Sequence, residues 1–293
     1  MTEPNGRAGA DAPLGVFDSG LGGLTVARAL RHALPLERIV YLGDTARVPY
    51  GTRSAETVLR YARSCAHVLL ERGVKGLVVA CNTVSAVALE MLRAELDLPV
   101  LGVVEPGARA AVEALGQRQA VAGAPARIGV LGTHGTILSG AYPRAIGRIS
   151  TRVEVLAAAA PLLVPLVEEG WLEGEVPRLA VERYVEPLVR AGARVIVLGC
   201  THYPLLAPVI GAVATALAGE EVTIVDSALA TAEDVAAWIA DERLPCASGR
   251  SERPPLEILV TDRPASFQAV ATRFLGADAP AVTQIDLGPA PIS

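Results

Sequence analysis

Two of the four cysteines, Cys81 and Cys200, each follow a short apolar run and precede a polar turn. Such runs are typical of buried strands, and each turn leads into a helical segment. A cysteine at a helix N-terminus lies near the positive end of the helix dipole, which lowers the pKa of its thiol, and the turn can bind a carboxylate. The flanking polar residues are Asn82 and Thr83 in one turn and Thr201 and His202 in the other. Each turn is therefore predicted to place a thiol base beside an anion site.

Other roles for these cysteines stay open from the residues alone. Either can be a small buried core residue. Cys81, Cys200 and His202 supply three zinc-ligand types, although no close Cys-x-x-Cys or His-x-x-x-His spacing accompanies them. A thiol nucleophile with a histidine partner would explain only one cysteine. Because the two turns are built alike, the sequence favours a pair of acid and base groups, and no metal ion is predicted.

The other two cysteines are predicted to have no chemical role. Cys65 lies in an amphipathic run at residues 61–72, which predicts a buried side chain. Cys246 lies in a Pro/Ser/Gly loop. No disulfide is expected, since a cytosolic chain of this size does not need one.

Further polar residues follow other apolar runs. The first run ends in DSGLGG, where Asp18 and Ser19 precede glycines that allow a ligand to approach the backbone. Asp18 can accept a proton, orient a substrate ammonium group or cap a helix. These glycines match no nucleotide-binding pattern, so nucleotide binding is not predicted. Further candidates are Asp44, Tyr50 and Gly51 in GDTARVPYG, and Glu168 and Glu169 in PLLVPLVEEG.

The lysine content bears on cofactor use. Lys75 is the single lysine of the chain, and it precedes the strand that leads to Cys81. A pyridoxal phosphate enzyme needs a lysine for its Schiff base. Lys75 is predicted to lie at the amino end of its strand, about a strand length from the turn, so pyridoxal phosphate chemistry is not expected.

The elements that position these residues alternate between apolar runs and Ala/Leu/Arg-rich helical patterns. This alternation predicts an α/β fold with largely parallel strands flanked by helices. In such sheets, ligands bind at the carboxyl ends of the strands. The candidate strands are Leu14–Phe17, Ile39–Leu42, Gly76–Ala80, Val100–Val104, Arg127–Leu131, Arg152–Leu156, Val195–Leu198, Thr223–Val225 and Leu256–Val260.

A loose internal repeat predicts two pseudo-symmetric lobes with the active site in the cleft between them. GVFDSGLGG resembles IGVLGTHGT, and LVVACNTVS resembles VIVLGCTHY. The first lobe is predicted to be discontinuous, formed by residues 14–104 and 222–276, and the second by residues 105–221. Residues 1–13 and 277–293 are predicted to be tails.

Composition limits the partners of this 293-residue chain. The formal net charge is -5 and the pI is about 5.5, whereas a nucleic-acid-binding protein is usually basic. The N-terminus does not match a secretory signal. Residues 195–219 carry no formal charge, but their glycines, prolines and polar residues favour a strand, a loop and a helix over a membrane span. Oligomeric state is not determined by the sequence, and a homodimer is one arrangement it allows.

The motifs together resemble those of glutamate racemases, within the wider aspartate/glutamate racemase superfamily. The resemblance extends from about Leu14 to Gly276. The cysteine motifs are shared across the superfamily, whereas DSGLGG, PYG and GCTHYPLL are more specific to the glutamate enzymes. The matching segments are FDSGLGGLTV, GDTARVPYG, VACNTVSA, VVEPG, VLGTHGT, PLLVPLVEEG, VLGCTHYPLL and TDRPASFQAVATRFLG.

The resemblance implies a cofactor-independent isomerase that forms D-glutamate for peptidoglycan precursors in the bacterial cytoplasm. It assigns Cys81 and Cys200 as the catalytic acid/base pair, with Asp18 assisting Cys81, and with His202 and Glu168 assisting Cys200. The implied substrate contacts are Asp18, Ser19, Tyr50, Gly51, Asn82, Thr83, Thr201 and His202. Two alternatives remain: a racemase for another amino acid such as aspartate, and a non-catalytic two-lobed ligand-binding or regulatory protein.

Overall fold

The computed structural model describes residues 9–118, 126–241, 243–247, 256–276 and 279–287. Residues 1–8 of the predicted N-terminal tail lie outside these ranges. Within them the chain has the predicted α/β architecture, with two parallel sheets flanked by helices. The strands are β1 Leu14–Asp18, β2 Ile39–Gly43, β3 Gly76–Val79, β4 Val100–Gly102, β5 Ala126–Gly132, β6 Val153–Ala159, β7 Val195–Gly199, β8 Thr223–Asp226, β9 Leu256–Val260 and β10 Val282–Gln284.

Helices cover both sheets. They are α1 Leu24–Ala33, α2 Ala55–Glu71, α3 Asn82–Val87, α4 Leu89–Glu95, α5 Val104–Gln117, α6 His134–Ser139, α7 Ala141–Ile149, α8 Leu163–Glu169, α9 Glu175–Arg190, α10 Ala207–Ala218, α11 Ser227–Ala240 and α12 Pro264–Leu275, with short 3₁₀ helices at Tyr50–Thr52 and Tyr203–Leu206. The uncharged segment after residue 195 is thus a strand, a loop and a helix, as predicted. No helix in the described ranges is long and apolar enough to cross a membrane.

The two sheets repeat the same strand order. In the first sheet the order is β10-β9-β2-β1-β3-β4, and in the second it is β6-β5-β7-β8. The series β2-β1-β3-β4 therefore corresponds to β6-β5-β7-β8, with every paired strand parallel. Cys81 follows β3 and Cys200 follows β7, so the two cysteines leave equivalent strands. The topology confirms the internal repeat.

The helices pack as their sequence periodicity predicts. In α2, Val58, Ala62, Cys65 and Leu69 recur at helical spacing and are buried, which confirms the predicted burial of Cys65. The side chain of Ser54 caps this helix by accepting a hydrogen bond from the Thr57 backbone N–H at 3.3 Å. Helix α11 packs against both α1 and α5 and so links the layers around the two sheets.

The predicted strand at Val100–Val104 is too long. Strand β4 ends at Gly102, and α5 begins at Val104. Pro106 and Gly107 lie in the first turns of α5, where the missing N–H of proline costs no hydrogen bond within the helix. The VVEPG motif therefore begins a helix.

Two expected lobe limits also differ from the structure. The predicted return to the first lobe at residue 222 is wrong for β8, because Thr223–Asp226 pairs with β7 as an edge strand of the second sheet. Part of the predicted C-terminal tail is ordered, since β10 pairs with β9 at the edge of the first sheet. Both β8 and β10 are short edge strands that pair with one neighbour, and few of their residues are buried.

Candidate active site

A single cavity of about 60 Å³ brings together most of the side chains singled out in the sequence. Both thiols contribute to it, and each cysteine is only 5% exposed. Because Cys81 and Cys200 leave equivalent strands of different sheets, the cavity lies between the carboxyl ends of the two sheets. Its lining includes Ser19, Tyr50, Gly51, Cys81, Asn82, Thr83, Glu168, Cys200, Thr201 and His202.

The surroundings of the Cys81 thiol favour its protonated form. Burial, followed by the nearby carboxylate of Asp18, raises the pKa of Cys81 to about 12. The thiol donates a hydrogen bond to Ser19 Oγ at 3.5 Å. Cys81 is the N-cap of α3, but this helix has only six residues. The predicted lowering of the Cys81 pKa by the helix dipole is therefore wrong, because the desolvation of the buried thiol outweighs it.

Cys200 belongs to a chain of polar contacts that includes His202 and Glu168. The Cys200 sulfur lies 3.9 Å from His202 Nδ1, and His202 Nε2 lies 3.1 Å from Glu168 Oε1. Burial alone would lower the pKa of His202, but the contacts with Cys200 and Glu168 outweigh it and raise the pKa to about 10. A protonated imidazole at neutral pH therefore lies beside the Cys200 sulfur.

Contacts from α12 also hold this chain of groups in place. The Arg273 guanidinium donates to the backbone carbonyl of Glu168 and covers Gly170, the left-handed residue that ends α8. The Phe274 ring meets the His202 ring edge-on, with centroids 6.1 Å apart. Helix α12, which also packs on α1, thus fixes both His202 and the helix that carries Glu168.

Asp18 lies at the end of β1, fully buried and outside the cavity lining. One carboxylate oxygen accepts from the Gly20 N–H at 3.0 Å, and the other accepts from Thr201 Oγ1 at 3.4 Å. Burial raises the pKa of Asp18, and the charge of His202 opposes this shift. Asp18 does not cap α1, whose N-cap is Gly23. Its hydrogen bonds connect the loop after β1 with the Cys200 loop.

Asn82 brings an unused hydrogen-bond donor to the cavity. Its side chain is 2% exposed, its Oδ1 accepts from the Tyr142 hydroxyl at 2.8 Å, and its Nδ2 has no partner. A buried amide nitrogen without a partner carries a free-energy cost that an anionic ligand would remove. Thr83 Oγ1 lies 2.9 Å from Thr133 Oγ1 across the cleft.

Tyr50 lines the cavity, but its hydroxyl is bound to Asp44. That hydroxyl donates to the buried carboxylate of Asp44, which also accepts from Arg47 Nε at 2.6 Å and Thr261 Oγ1 at 2.9 Å. Asp44 is absent from the cavity lining and instead anchors the loop that carries Tyr50. Gly51 is required where it lies, since a Cβ there would be 2.7 Å from Thr133 Cβ.

Lys75 lies away from this site. Its ammonium is 2.6 Å from Glu37 Oε2, and both side chains are almost fully buried. It also donates to the carbonyls of Ala10 and Pro245. Lys75 precedes β3, and the cavity lies at the other end of that strand. The lysine therefore has a structural role.

Comparison with known proteins identifies the family. The sequence profile described as Asp/Glu/Hydantoin racemase matches residues 24–235. A glutamate racemase from Geobacter metallireducens is 50% identical over 94% of this chain and 96% of its own length. The chain belongs to the Asp/Glu/Hydantoin racemase family.

Solved structures of this racemase family share the whole fold. The glutamate racemase from Thermus thermophilus, in complex with β-chloro-D-alanine, is 45% identical and superposes with a TM-score of 0.80 over 95% of this chain and 98% of its own. The Francisella tularensis enzyme, in complex with D-glutamate, is 30% identical, with a TM-score of 0.83 over 95% of this chain and 99% of its own.

Some residues of the racemase site escaped the sequence analysis. Thr133 lines the cavity at the end of β5, where the internal repeat makes it the counterpart of Ser19, so the repeat could have identified it. Val164 is an apolar residue on a helix and carries no such signal. The same holds for Arg273, which reaches the site from the last helix.

Within the described ranges, no group of three or more His, Cys, Asp or Glu side chains is arranged to bind a metal ion.

Proposed function

We propose that this protein interconverts L- and D-glutamate, with Cys81 and Cys200 as the two acid/base groups. The observation that carries the proposal is the pair of buried thiols, which leave equivalent strands of two sheets and line one cavity. The two enantiomers present the α-hydrogen on opposite sides of the α-carbon, so their interconversion needs one base on each side. The glutamate racemases at up to 50% identity support the substrate and the reaction.

The reaction is a pair of proton transfers. One sulfur, as thiolate, removes the α-proton and becomes a thiol, while the electron pair of the C–H bond stays on the substrate as a carbanion. The opposite thiol then gives its proton to the other face of that carbon and becomes a thiolate. In the reverse direction the two cysteines exchange roles. Charge and atoms balance without an external oxidant or reductant.

The surroundings of the two sulfurs differ. Burial and the carboxylate of Asp18 raise the pKa of Cys81. The Cys200 sulfur lies beside the imidazole of His202, and Glu168 holds His202 in position. Asp18 keeps the proton on Cys81 and, through Thr201, fixes the opposite loop.

Stabilisation of the carbanion must come from hydrogen-bond donors around the substrate α-carboxylate, which gains negative charge as the proton leaves. Asn82 Nδ2 is an unused donor at the cavity, and Thr83 and Thr201 add hydroxyl groups. The exclusion of water strengthens these interactions. The single lysine is engaged with Glu37, so the residues at the cavity offer no Schiff-base partner.

Substrate entry requires the cleft to widen. The cavity of about 60 Å³ is far below the roughly 300 Å³ of a typical small-molecule pocket. The cavity is closed by contacts between the loops of the two sheets. Thr133 lies against Thr83 on one side and against Gly51 on the other. A hinge motion of the two lobes therefore accompanies each turnover. We propose that the D-glutamate formed enters peptidoglycan precursors and that the enzyme acts in a bacterial cytoplasm.

The activity is tested with protein dialysed against a chelator and free of pyridoxal phosphate. Either L-glutamate or L-aspartate is added in deuterium oxide, and optical rotation and α-deuteration are followed. We expect glutamate to lose rotation as it gains α-deuterium, with no comparable turnover of aspartate. Preferential turnover of aspartate would move the assignment to another amino acid, and no exchange with either would support the binding-protein alternative.

A further inference from the structure

In the side-chain amide of Asn82, the oxygen is hydrogen-bonded and the nitrogen is not. Its Oδ1 accepts from the Tyr142 hydroxyl at 2.8 Å, while its Nδ2 is buried without a partner at the cavity. The oxygen and nitrogen of a primary amide lie on opposite sides of one planar group. A donor fixed on Oδ1 therefore determines the direction in which the two N–H bonds point.

Tyr142 is itself held rigidly. It lies on α7, is 1% exposed and does not line the cavity. Its ring packs so closely on Gly199, the residue before Cys200, that a Cβ there would be 3.0 Å from the ring. Its hydroxyl also interacts with Ser227, the first residue of α11. Tyr142 thus belongs to the second sheet's layer, whereas Asn82 follows β3 of the first sheet.

We propose that Tyr142 is a positioning residue that orients the Asn82 amide so that its N–H bonds face the substrate carboxylate. This inference rests on the proposed function. Without the hydroxyl, the amide can turn its Oδ1 toward the cavity, where it would repel a carboxylate. Because the hydroxyl reaches Asn82 from the other sheet's layer, the carboxylate site is complete only when the two layers meet as they do here.

The Tyr142→Phe variant tests the orientation, since it removes one oxygen atom and keeps the ring that fills the core. We expect kcat/KM for glutamate to fall roughly three- to tenfold, the value of one hydrogen bond. Tyr184→Phe is the matched control, because it removes the hydroxyl of a half-buried tyrosine on α9, away from Asn82, and it should retain wild-type kcat/KM. Circular dichroism and thermal unfolding would show that both variants are folded.

A double-mutant cycle separates positioning from a general structural role. If Tyr142 acts through Asn82, then Tyr142→Phe in the Asn82→Ala background should lower kcat/KM by less than about twofold. The same three- to tenfold loss in both backgrounds would overturn the inference. An unchanged kcat/KM in Tyr142→Phe alone would also overturn the inference. In that case the proposed function still stands, provided that the wild-type protein racemises glutamate.

Nuclear magnetic resonance gives a second measurement on the wild-type protein, and its outcome does not depend on the activity of a variant. The side-chain amide signals of Asn82, assigned by their loss in Asn82→Ala, should shift as D-glutamate is added. Signals that stay in place at saturation would show that this amide does not meet the substrate, and the role of Tyr142 would fail with it. A wild-type protein that leaves glutamate unchanged would overturn the proposed function as well.

Discussion

The Glu168 carboxylate is predicted to raise the pKa of His202, in addition to the contact with Cys200, and replacing Glu168 with glutamine tests this directly. Glu168→Gln keeps the length of the side chain and an oxygen that can face His202 Nε2 across 3.1 Å, but it removes the negative charge. The expected result is a lower pKa of His202. Because the protonated imidazole supports the Cys200 sulfur, activity should then decline at a lower pH than in the wild type.

The size of the shift follows from the contact. A hydrogen bond to a charged group contributes about 1.5–3 kcal/mol. The Glu168 side chain is 42% exposed, so solvent screening reduces this contribution to about 1.4 kcal/mol. That free energy corresponds to about one pKa unit. The pKa of His202 is about 10 in the wild type, and it should fall by about one unit in Glu168→Gln.

The assay is an NMR titration of the imidazole groups. The chain has four histidines, and the His202 signal is the one lost in His202→Asn. Glu169→Gln is the matched control, since Glu169 is the next residue of α8, is exposed and does not line the cavity. It should titrate like the wild type. A Glu168→Gln titration that overlays the wild-type curve would show that Glu168 does not raise the pKa of His202.

Three further perturbations test other parts of the structure. Since the pKa of His202 is raised from 6.5 to about 10, its stabilising contribution is complete below pH 6.5 and lost as pH rises toward 10, so the wild-type Tm should fall more steeply over that range than the Tm of His202→Asn. Lys75→Met leaves Glu37 buried without its partner and should lower the free energy of unfolding by about 3–5 kcal/mol in urea titrations. Its turnover per folded molecule should match the wild type, and a catalytic loss would contradict the structural role of Lys75. Gly22→Ala places a Cβ 2.3 Å from Thr201 Oγ1 and should lower kcat/KM about tenfold to a hundredfold. Gly147→Ala, where an added Cβ meets nothing within 4 Å, should keep its activity; equal rates for both variants would show that the Thr201 loop tolerates displacement.

The sequence was most informative where a buried strand ends. Cys81, Cys200, Ser19 and Thr201 all follow apolar runs, and parallel strands bring their carboxyl ends to one edge of a sheet. Their meeting in one cavity could therefore be predicted without coordinates. The internal repeat predicted two related lobes, and the two sheets share one strand order.

Other features depend on packing that a sequence does not express. Tyr142 and Arg273 act from helices, through contacts with residues far away in the chain. The pKa of Cys81 depends on its complete burial and on Asp18, so the helix-dipole argument gave the wrong direction. Strand β8 was predicted at Thr223–Val225, but the sheet that it joins depends on packing. Strand β10 has three residues and one partner strand, so it leaves little hydrophobic pattern.

The central claim is that two thiols, and only these two, transfer the α-proton. The most direct measurement is glutamate racemisation in deuterium oxide by four single variants that cover every cysteine of the chain: Cys81→Ser, Cys200→Ser, Cys65→Ala and Cys246→Ser. We expect the first two to lose racemisation by about 10²–10⁴-fold and the last two to keep it. Near-wild-type racemisation by Cys81→Ser or Cys200→Ser would contradict the two-thiol mechanism.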